Sequence, residues 1–322
     1  MLAAYVSKSA PDDPLSALAV GQRPEPEPRA GWTTVTVRAA SLNHHDVFSL
    51  RGVGLPEDRM PMILGCDAAG TDEDGNDVVV HAVVSDPAWM GDETLDPKRS
   101  LLSERHQGTL AEKVLVPARN VIPKPAELSF PEAACLATAW LTAYRMLFTK
   151  SGVHPGDTVL IQGSSGGVAT ALIALASAAG IRVWATGRTE QKRALAAELG
   201  AHATFESGAR LPERVDAVFE TVGEATWAHS LKSLKPGGRV VVSGSTSGAG
   251  PSADLQRVFF LQLSVIGSTM GTRDELARLI RFCQTSGVRP RIDVAMPLAD
   301  AREGFARMID GQTAGKIVFT LD

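Results

Sequence analysis

Residues 158–169 read TVLIQGSSGGVA: an apolar run, a glycine-rich turn and the start of an alanine-rich segment. Such a strand, turn and helix start can grip a phosphate. Gly163 permits the tight turn, and Gly166 and Gly167 put no Cβ between the backbone N–H groups and an approaching anion. Unpaired donors at the helix start, together with its dipole, add to the attraction. Ser164, Ser165 and Val168 complete the loop, and Ala169 lets helix and strand pack closely. The spacing Gly-x-x-Gly-Gly-x-Ala is one residue looser than the dinucleotide fingerprint, and an ordinary strand-to-helix turn would have the same look. The residues downstream favour the phosphate-binding reading.

A second apolar run, 181–187, follows at the distance of the next strand of a βαβ unit, and its end should meet the adenosine ribose. An NAD site places a carboxylate there, roughly 20 residues past the glycines, to accept a hydrogen bond from the 2′-hydroxyl. Gly187 and Arg188 stand there instead. Nothing repels a 2′-phosphate, the Arg188 guanidinium can bind it bidentately, and Lys192 adds a point charge one turn on. NADPH is the cofactor expected. The alternative is that Arg188 and Lys192 belong to the solvated face of a helix.

The chain has 322 residues, which suggests two domains, each large enough for its own core. A net charge of −4 offers no basic excess, so nucleic acid is not an expected partner. No apolar run approaches the roughly 20 residues of a membrane span, and the opening residues lack the pattern of a secretion signal. The expectation is a cytoplasmic protein acting on a small molecule. Three widely spaced cysteines, Cys66, Cys135 and Cys283, argue against a disulfide framework.

Strand-like runs at 31–39, 77–84 and 111–116, separated by proline and glycine loops, make the first segment β-rich. The character changes from 123 on: residues 131–148 are helical in composition, and beyond 156 strands and helices alternate as in a doubly wound sheet. Further strands are expected at 203–205, 216–219, 239–243 and 263–267. An amphipathic helix is expected over 274–283, with Cys283 on its core face. The tail offers a strand near 291–295, a helix over 301–309 capped by Asp300, and a last run at 316–321. The polar stretch 86–108 reads as a mobile loop.

These segments, with GTLAEKVLVPARNVIPKP, LTAYRML, KPGGRVVVSG, IGSTMGTRDEL and GKIVF, resemble the medium-chain dehydrogenase/reductase superfamily over nearly the whole chain. The order of elements is most similar to its zinc-independent quinone oxidoreductase branch. The resemblance implies an α/β fold in which a Rossmann doubly wound parallel sheet (residues 123–286) is inserted in a GroES-like β-rich catalytic domain (1–122 and 287–322). It also implies an active cleft between the two, and a homodimer in which 259–266 pairs across a two-fold axis, although a buried core strand accounts for that run equally well.

Zinc-dependent members carry Cys-His-x-Asp, Gly-His-Glu and a later Cys. At the matching positions this chain has Asn43-His44-His45-Asp46, Gly65-Cys66-Asp67 and Thr138, so all three ligands are exchanged, and 86–108 lacks the four cysteines of a structural zinc lobe. No metal is expected. A rearranged set of Cys66, His44 or His45, and Asp67 is the alternative, with acceptable ligand types at unmatched spacing.

Without a Lewis acid the substrate oxygen must be polarised by hydrogen bonds, which suits hydride transfer from NADPH to a quinone or an α,β-unsaturated carbonyl. By resemblance Asn43 lies at the floor of the nicotinamide cleft. His44 or His45 could relay a proton and Asp46 could orient one of them, and in an extended segment one histidine at most faces the cleft. Phe48 stands where the family often has a tyrosine. Resemblance further assigns Glu220, Thr221, Val222 and Gly223, and Gly244, Ser245 and Thr246, to the border of the nicotinamide half of the cofactor, and Thr142 and Lys316 to its vicinity or to the domain seam. Two rival readings are a ketone or alcohol oxidoreductase of the same fold and a non-catalytic NADPH-binding sensor or structural protein.

Overall fold

The structure is a computed structural model and describes residues 1–321. The chain divides into two compact units, residues 1–141 with 270–322 and residues 142–269. The expected boundaries near 122 and 287 differ from this division, because the flanking segments pack with the first unit. Strand Val121–Pro123 hydrogen-bonds Asp77–Val80, and helix Arg273–Ser286 packs on Leu136–Trp140. That helix buries Leu276, Leu279, Ile280 and Cys283 on one face, as its periodicity requires.

The first unit is the GroES-like one. Its main sheet is built on Trp32–Ser41, which pairs antiparallel with Asp67–Thr71, with Lys113–Pro117 and, at its far end, with Lys316–Thr320. Val35, Val37, Leu42, Leu50, Phe305 and Phe319 fill the core beneath it. The last strand therefore lies beside the segment that leads to Asn43. Expected strand 77–84 is broken into Asp77–Val80 and Val83–Val84, because the Asn120 side chain donates to the carbonyls of His81 (2.9 Å) and Val83 (2.8 Å) at the break. Stretch 86–108 is held by its own bonds rather than being free. Asp96 accepts from the Asp86 N–H at 2.7 Å, Lys98 pairs with Asp86, and Ser100–Leu101 pairs with Val83–Val84. Asp300 precedes helix Ala301–Ile309, but its side chain makes no cap, a short 3₁₀ turn at Leu298–Asp300 leading into the helix instead.

The second unit is a six-stranded parallel sheet in the order Ala203–Glu206, Arg182–Gly187, Thr158–Ile161, Val215–Glu220, Leu234–Val242, Ser264–Gly267. This is the Rossmann arrangement. Thr158–Ile161 has the second strand on one side and the fourth on the other, so the glycine turn that follows it opens at the topological switch point, where such sheets bind ligands. Expected strand 259–266 is two elements. Leu255–Phe260 is a short helix, with Phe259 69 % and Phe260 76 % exposed, and Ser264–Gly267 is the sheet's edge strand. Neither is the buried core strand that its composition also allowed.

Candidate functional site

Each unit carries its own half of the chemistry. In the second, helix Gly167–Ala178 begins straight after the turn with Gly166 at its N-cap, no side-chain cap and no acidic residue in its first turn. Helices Phe130–Ala133 and Arg273–Ser286 close their first turns with Ser/Glu and Thr/Glu capping boxes, and Glu190–Glu198 uses Thr189. The helix after the glycine turn thus leaves its first donors to something from outside. Gly163 has φ +79°, and a Cβ placed on Gly166 would meet nothing within 4 Å, so the turn is open where a pyrophosphate would sit. Ser164 turns away, its hydroxyl donating to the Lys192 carbonyl at 2.9 Å.

At the end of the next strand Gly187 is enclosed. A Cβ there would come within 2.8 Å of Ser164 Oγ and 2.9 Å of Arg193 Cγ. Arg188 is exposed beside it, and partial burial and the Arg188 charge depress the Lys192 ammonium. No carboxylate stands at this position, and two cations do. These residues fit a dinucleotide with a phosphorylated ribose.

On the other side of the switch point stands Glu220, which resemblance places in the segment bordering the nicotinamide half and whose hydrogen bonds the sequence did not reveal. Its fully buried carboxylate accepts from the N–H groups of Val222 (2.8 Å) and Gly223 (3.1 Å), and from the hydroxyls of Thr226 (2.8 Å) and Ser230 (2.7 Å). The Ser230 hydroxyl in turn accepts from Gln162, whose carbonyl accepts from Thr186, whose hydroxyl accepts from the Gly163 N–H at 3.1 Å. One hydrogen-bond chain therefore links the glycine turn to the 221–223 loop. That loop is zipped to 244–248, with the Ser247 N–H donating to the Val222 carbonyl at 2.7 Å and the Thr246 N–H reaching the Thr221 carbonyl at 3.4 Å. A Cβ on Gly244 would come within 3.0 Å of the Thr221 carbonyl oxygen, and Ser245 and Thr246 are exposed beside it. Thr142 is buried in the same unit.

In the first unit, Asn43 N-caps helix His44–Leu50, so the two histidines lie on a helical first turn rather than in an extended segment. Successive helical side chains still diverge, and the outcome separates the pair: His44 is exposed and His45 half-buried. Asp46 reaches back to the Asn43 N–H (2.9 Å) and forward to the Gly65 N–H (2.8 Å). Asp46 thereby fixes the loop rather than either imidazole.

Asn43 sits in a buried polar cluster. Its amide nitrogen donates to Asp67 Oδ2 at 2.9 Å, and its oxygen accepts from Lys316 Nζ at 2.7 Å. Lys316, 2 % exposed, also donates to the Leu42 carbonyl at 2.9 Å and lies 3.4 Å from Asp67 Oδ2, which accepts from Ser41 as well. Lys316 is thus engaged with Asn43 and Asp67 inside its own unit. The family's zinc does not fit this cluster. The family's two thiolates are replaced by an amide at 43 and a hydroxyl at 138, and an ammonium already sits on the oxygens of Asn43 and Asp67.

Cys66 does not join Asp67. Its buried sulfur lies 3.4 Å from His45 Nδ1, 3.3 Å from the Leu102 carbonyl and 3.6 Å from Ser103 Oγ, while His45 Nε2 lies 3.2 Å from Glu104. Burial disfavours a charged His45, but Cys66, Glu104 and Asp46 outweigh it and hold the imidazole well above its ordinary range. Burial pushes the Cys66 thiol and the Asp46 carboxyl up. Glu104 and Ser103 come from stretch 86–108, where nothing in the spacing marks them out.

An uncapped glycine turn at the switch point of a parallel sheet, in a chain whose other unit is GroES-like, is an arrangement shared with known proteins. The alcohol dehydrogenase GroES-like domain matches residues 29–126 and the zinc-binding dehydrogenase family matches 167–285. The crystal structure of an NAD-dependent alcohol dehydrogenase superposes with a TM-score of 0.92 at 32 % identity, covering 100 % of both chains. The chain belongs to the medium-chain dehydrogenase/reductase superfamily. Among curated superfamily members, an acryloyl-coenzyme A reductase of Sulfurisphaera tokodaii is 26 % identical over 92 % of this chain and 94 % of its own length. A quinone oxidoreductase of Mus musculus is 27 % identical over 92 % and 91 %. Medium-chain members are nicotinamide-dependent oxidoreductases. Among the described residues no helix is long and apolar enough to cross a membrane.

Proposed function

We propose that this chain is an NADPH-dependent reductase of quinones or α,β-unsaturated carbonyls whose hydride transfer uses no catalytic metal. The observation that carries the reading is the exchange of a metal site for the Asn43–Asp67–Lys316 cluster. NADPH, when bound, supplies the hydride. The glycine turn and the helix that starts at Gly167 hold its pyrophosphate, Arg188 and Lys192 bind the 2′-phosphate, and Glu220 sets the 221–223 loop against the nicotinamide half. Asn43, locked by Lys316 and Asp67, offers an oriented amide dipole to a substrate oxygen or to the nicotinamide carboxamide.

His44 is the histidine suited to proton relay, because both ring nitrogens of His45 are engaged. A quinone needs little acid assistance, which suits a chain with Phe48 in place of a phenol. Two relatives act on substrates of this kind by name, one on acryloyl-coenzyme A and one on quinones. The exposed Phe259 and Phe260 and the edge strand beside them support a homodimer formed with a second copy.

A panel of quinones, enones, ketones and aldehydes, followed by NADPH oxidation, tests the function. Turnover of quinones or enones is expected. Turnover confined to ketones or aldehydes would replace this reading with a carbonyl reductase, and tight NADPH binding without turnover would replace it with a cofactor-binding sensor.

A further inference from the structure

One cluster in the first unit is not used by hydride transfer. His45, Asp46 and Cys66 bring a ring nitrogen, a carboxylate oxygen and a sulfur within 4.8 Å of one another, beneath the loop that carries Leu102, Ser103 and Glu104. Asp46 and Cys66 are fully buried. The local sequence enforces the meeting: His45 and Asp46 share the first helical turn, and Asp46 holds the Gly65 N–H, which places Cys66 one residue on.

Two features of this cluster point to a ligand. Glu104 accepts from His45 Nε2 and so turns Nδ1 towards the sulfur, as carboxylates orient metal-binding histidines. The two separations measured from the sulfur also suit a bridging ion. Bonds of about 2.3 Å to sulfur and about 2.0–2.1 Å to nitrogen or oxygen, at a tetrahedral angle, place those atoms about 3.5 Å apart. Here the sulfur lies 3.4 Å from Nδ1 and 3.6 Å from Ser103 Oγ.

We propose that His45 Nδ1, Cys66 Sγ and an Asp46 carboxylate oxygen, with Ser103 Oγ as the fourth donor, form a closed structural site for one borderline-soft divalent cation of the zinc or cobalt class. Binding displaces the thiol proton and the Nδ1 proton of His45, both of which leave to solvent, and thiolate and carboxylate together neutralise the ion's two positive charges. The site shares the Cys66 position with the superfamily's zinc but takes nothing from Asn43 or Thr138. With four protein donors and no open position it braces helix His44–Leu50 against the 102–104 loop and takes no part in the reaction. It does not rest on the proposed reductase activity.

Cobalt(II) titrated into the chelator-treated full chain tests the site. One equivalent should bind, with a thiolate-to-cobalt charge-transfer absorption and intense tetrahedral ligand-field bands. Cys66→Ser should abolish the charge-transfer band, Cys135→Ser should keep it, and Glu104→Gln should weaken affinity about 10–100-fold. A folded wild-type chain that takes up no cobalt, or a charge-transfer band that survives Cys66→Ser, overturns the proposal. Should Cys66→Ser not fold, wild-type binding and the Glu104→Gln affinity decide: an unchanged affinity in that variant also overturns it. Because the readout is metal uptake, a chain that reduces no quinone tests the site equally well.

Discussion

The Lys316 ammonium lies 2.7 Å from the side-chain oxygen of Asn43, so the last strand of the first unit fixes which way that amide points. The opposite amide edge is held by Asp67, and rotating the group would set N–H against ammonium and oxygen against carboxylate. Asn43 is therefore oriented by charge as well as by shape.

Lys316→Met would leave Asp67 buried with its charge uncompensated, and the expected loss is about 3–5 kcal/mol of unfolding free energy. Adding Asp67→Asn to Lys316→Met should recover part of it. Denaturant unfolding of the two single variants and the double variant measures the coupling; simple additivity would mean that the pair does not act as a unit.

Arg188→Ala should weaken NADPH binding at least about tenfold while leaving NADH nearly unchanged, since a charge-assisted bond contributes roughly 1.5–3 kcal/mol. Calorimetric titration with each coenzyme gives the ratio. Equal losses for both would assign Arg188 to the solvated face of its helix.

Glu220→Gln would turn an amide N–H₂ towards donors that now meet a carboxylate oxygen, at an expected cost of about 1–3 kcal/mol. Since Glu220 accepts from Val222, Gly223, Thr226 and Ser230 and connects through Gln162 to the glycine turn, cofactor affinity should fall along with stability. A variant that melts earlier but binds NADPH as before would limit Glu220 to a structural role.

His81 is buried, with its ring Nε2 donating to the Gly271 carbonyl at 2.9 Å, and burial lowers its pKa to about 4. The unfolded chain binds the proton more readily, so the stabilisation is complete above the ordinary imidazole range and is lost as pH falls from about 6.5 towards 4. The shift corresponds to about 3 kcal/mol. Unfolding measured across that interval should show the decline, and His81→Gln, which keeps a donor for Gly271, should flatten it.

Much of the fold could be read from periodicity and punctuation. The alternation of strands with helices beyond 156, the glycine turn and the core face of Arg273–Ser286 each carry a local pattern. The run 259–266 misled because apolar content alone does not distinguish a strand from the exposed helix Leu255–Phe260 with the edge strand after it. Asp300 looked like a cap by residue type, but capping needs a side-chain geometry that sequence does not record. Candidate site residues could be nominated where a motif or a resemblance marks them, as with Gly163, Arg188 and Asn43. Glu104 and Ser103 were not, because they reach His45 and Cys66 from a polar loop about 40 to 60 positions away in the chain, and such contacts leave no trace in spacing.

The pairing of Lys316–Thr320 with the far end of Trp32–Ser41 also affects the order of biosynthesis. The six parallel strands lie in one uninterrupted stretch and have all emerged from the ribosome while the earlier-made β-rich portion still waits for its closing partner. The portion translated first is thus the one completed last, and a released chain that ends shortly after residue 269 should already bind dinucleotide while lacking a finished Asn43 pocket.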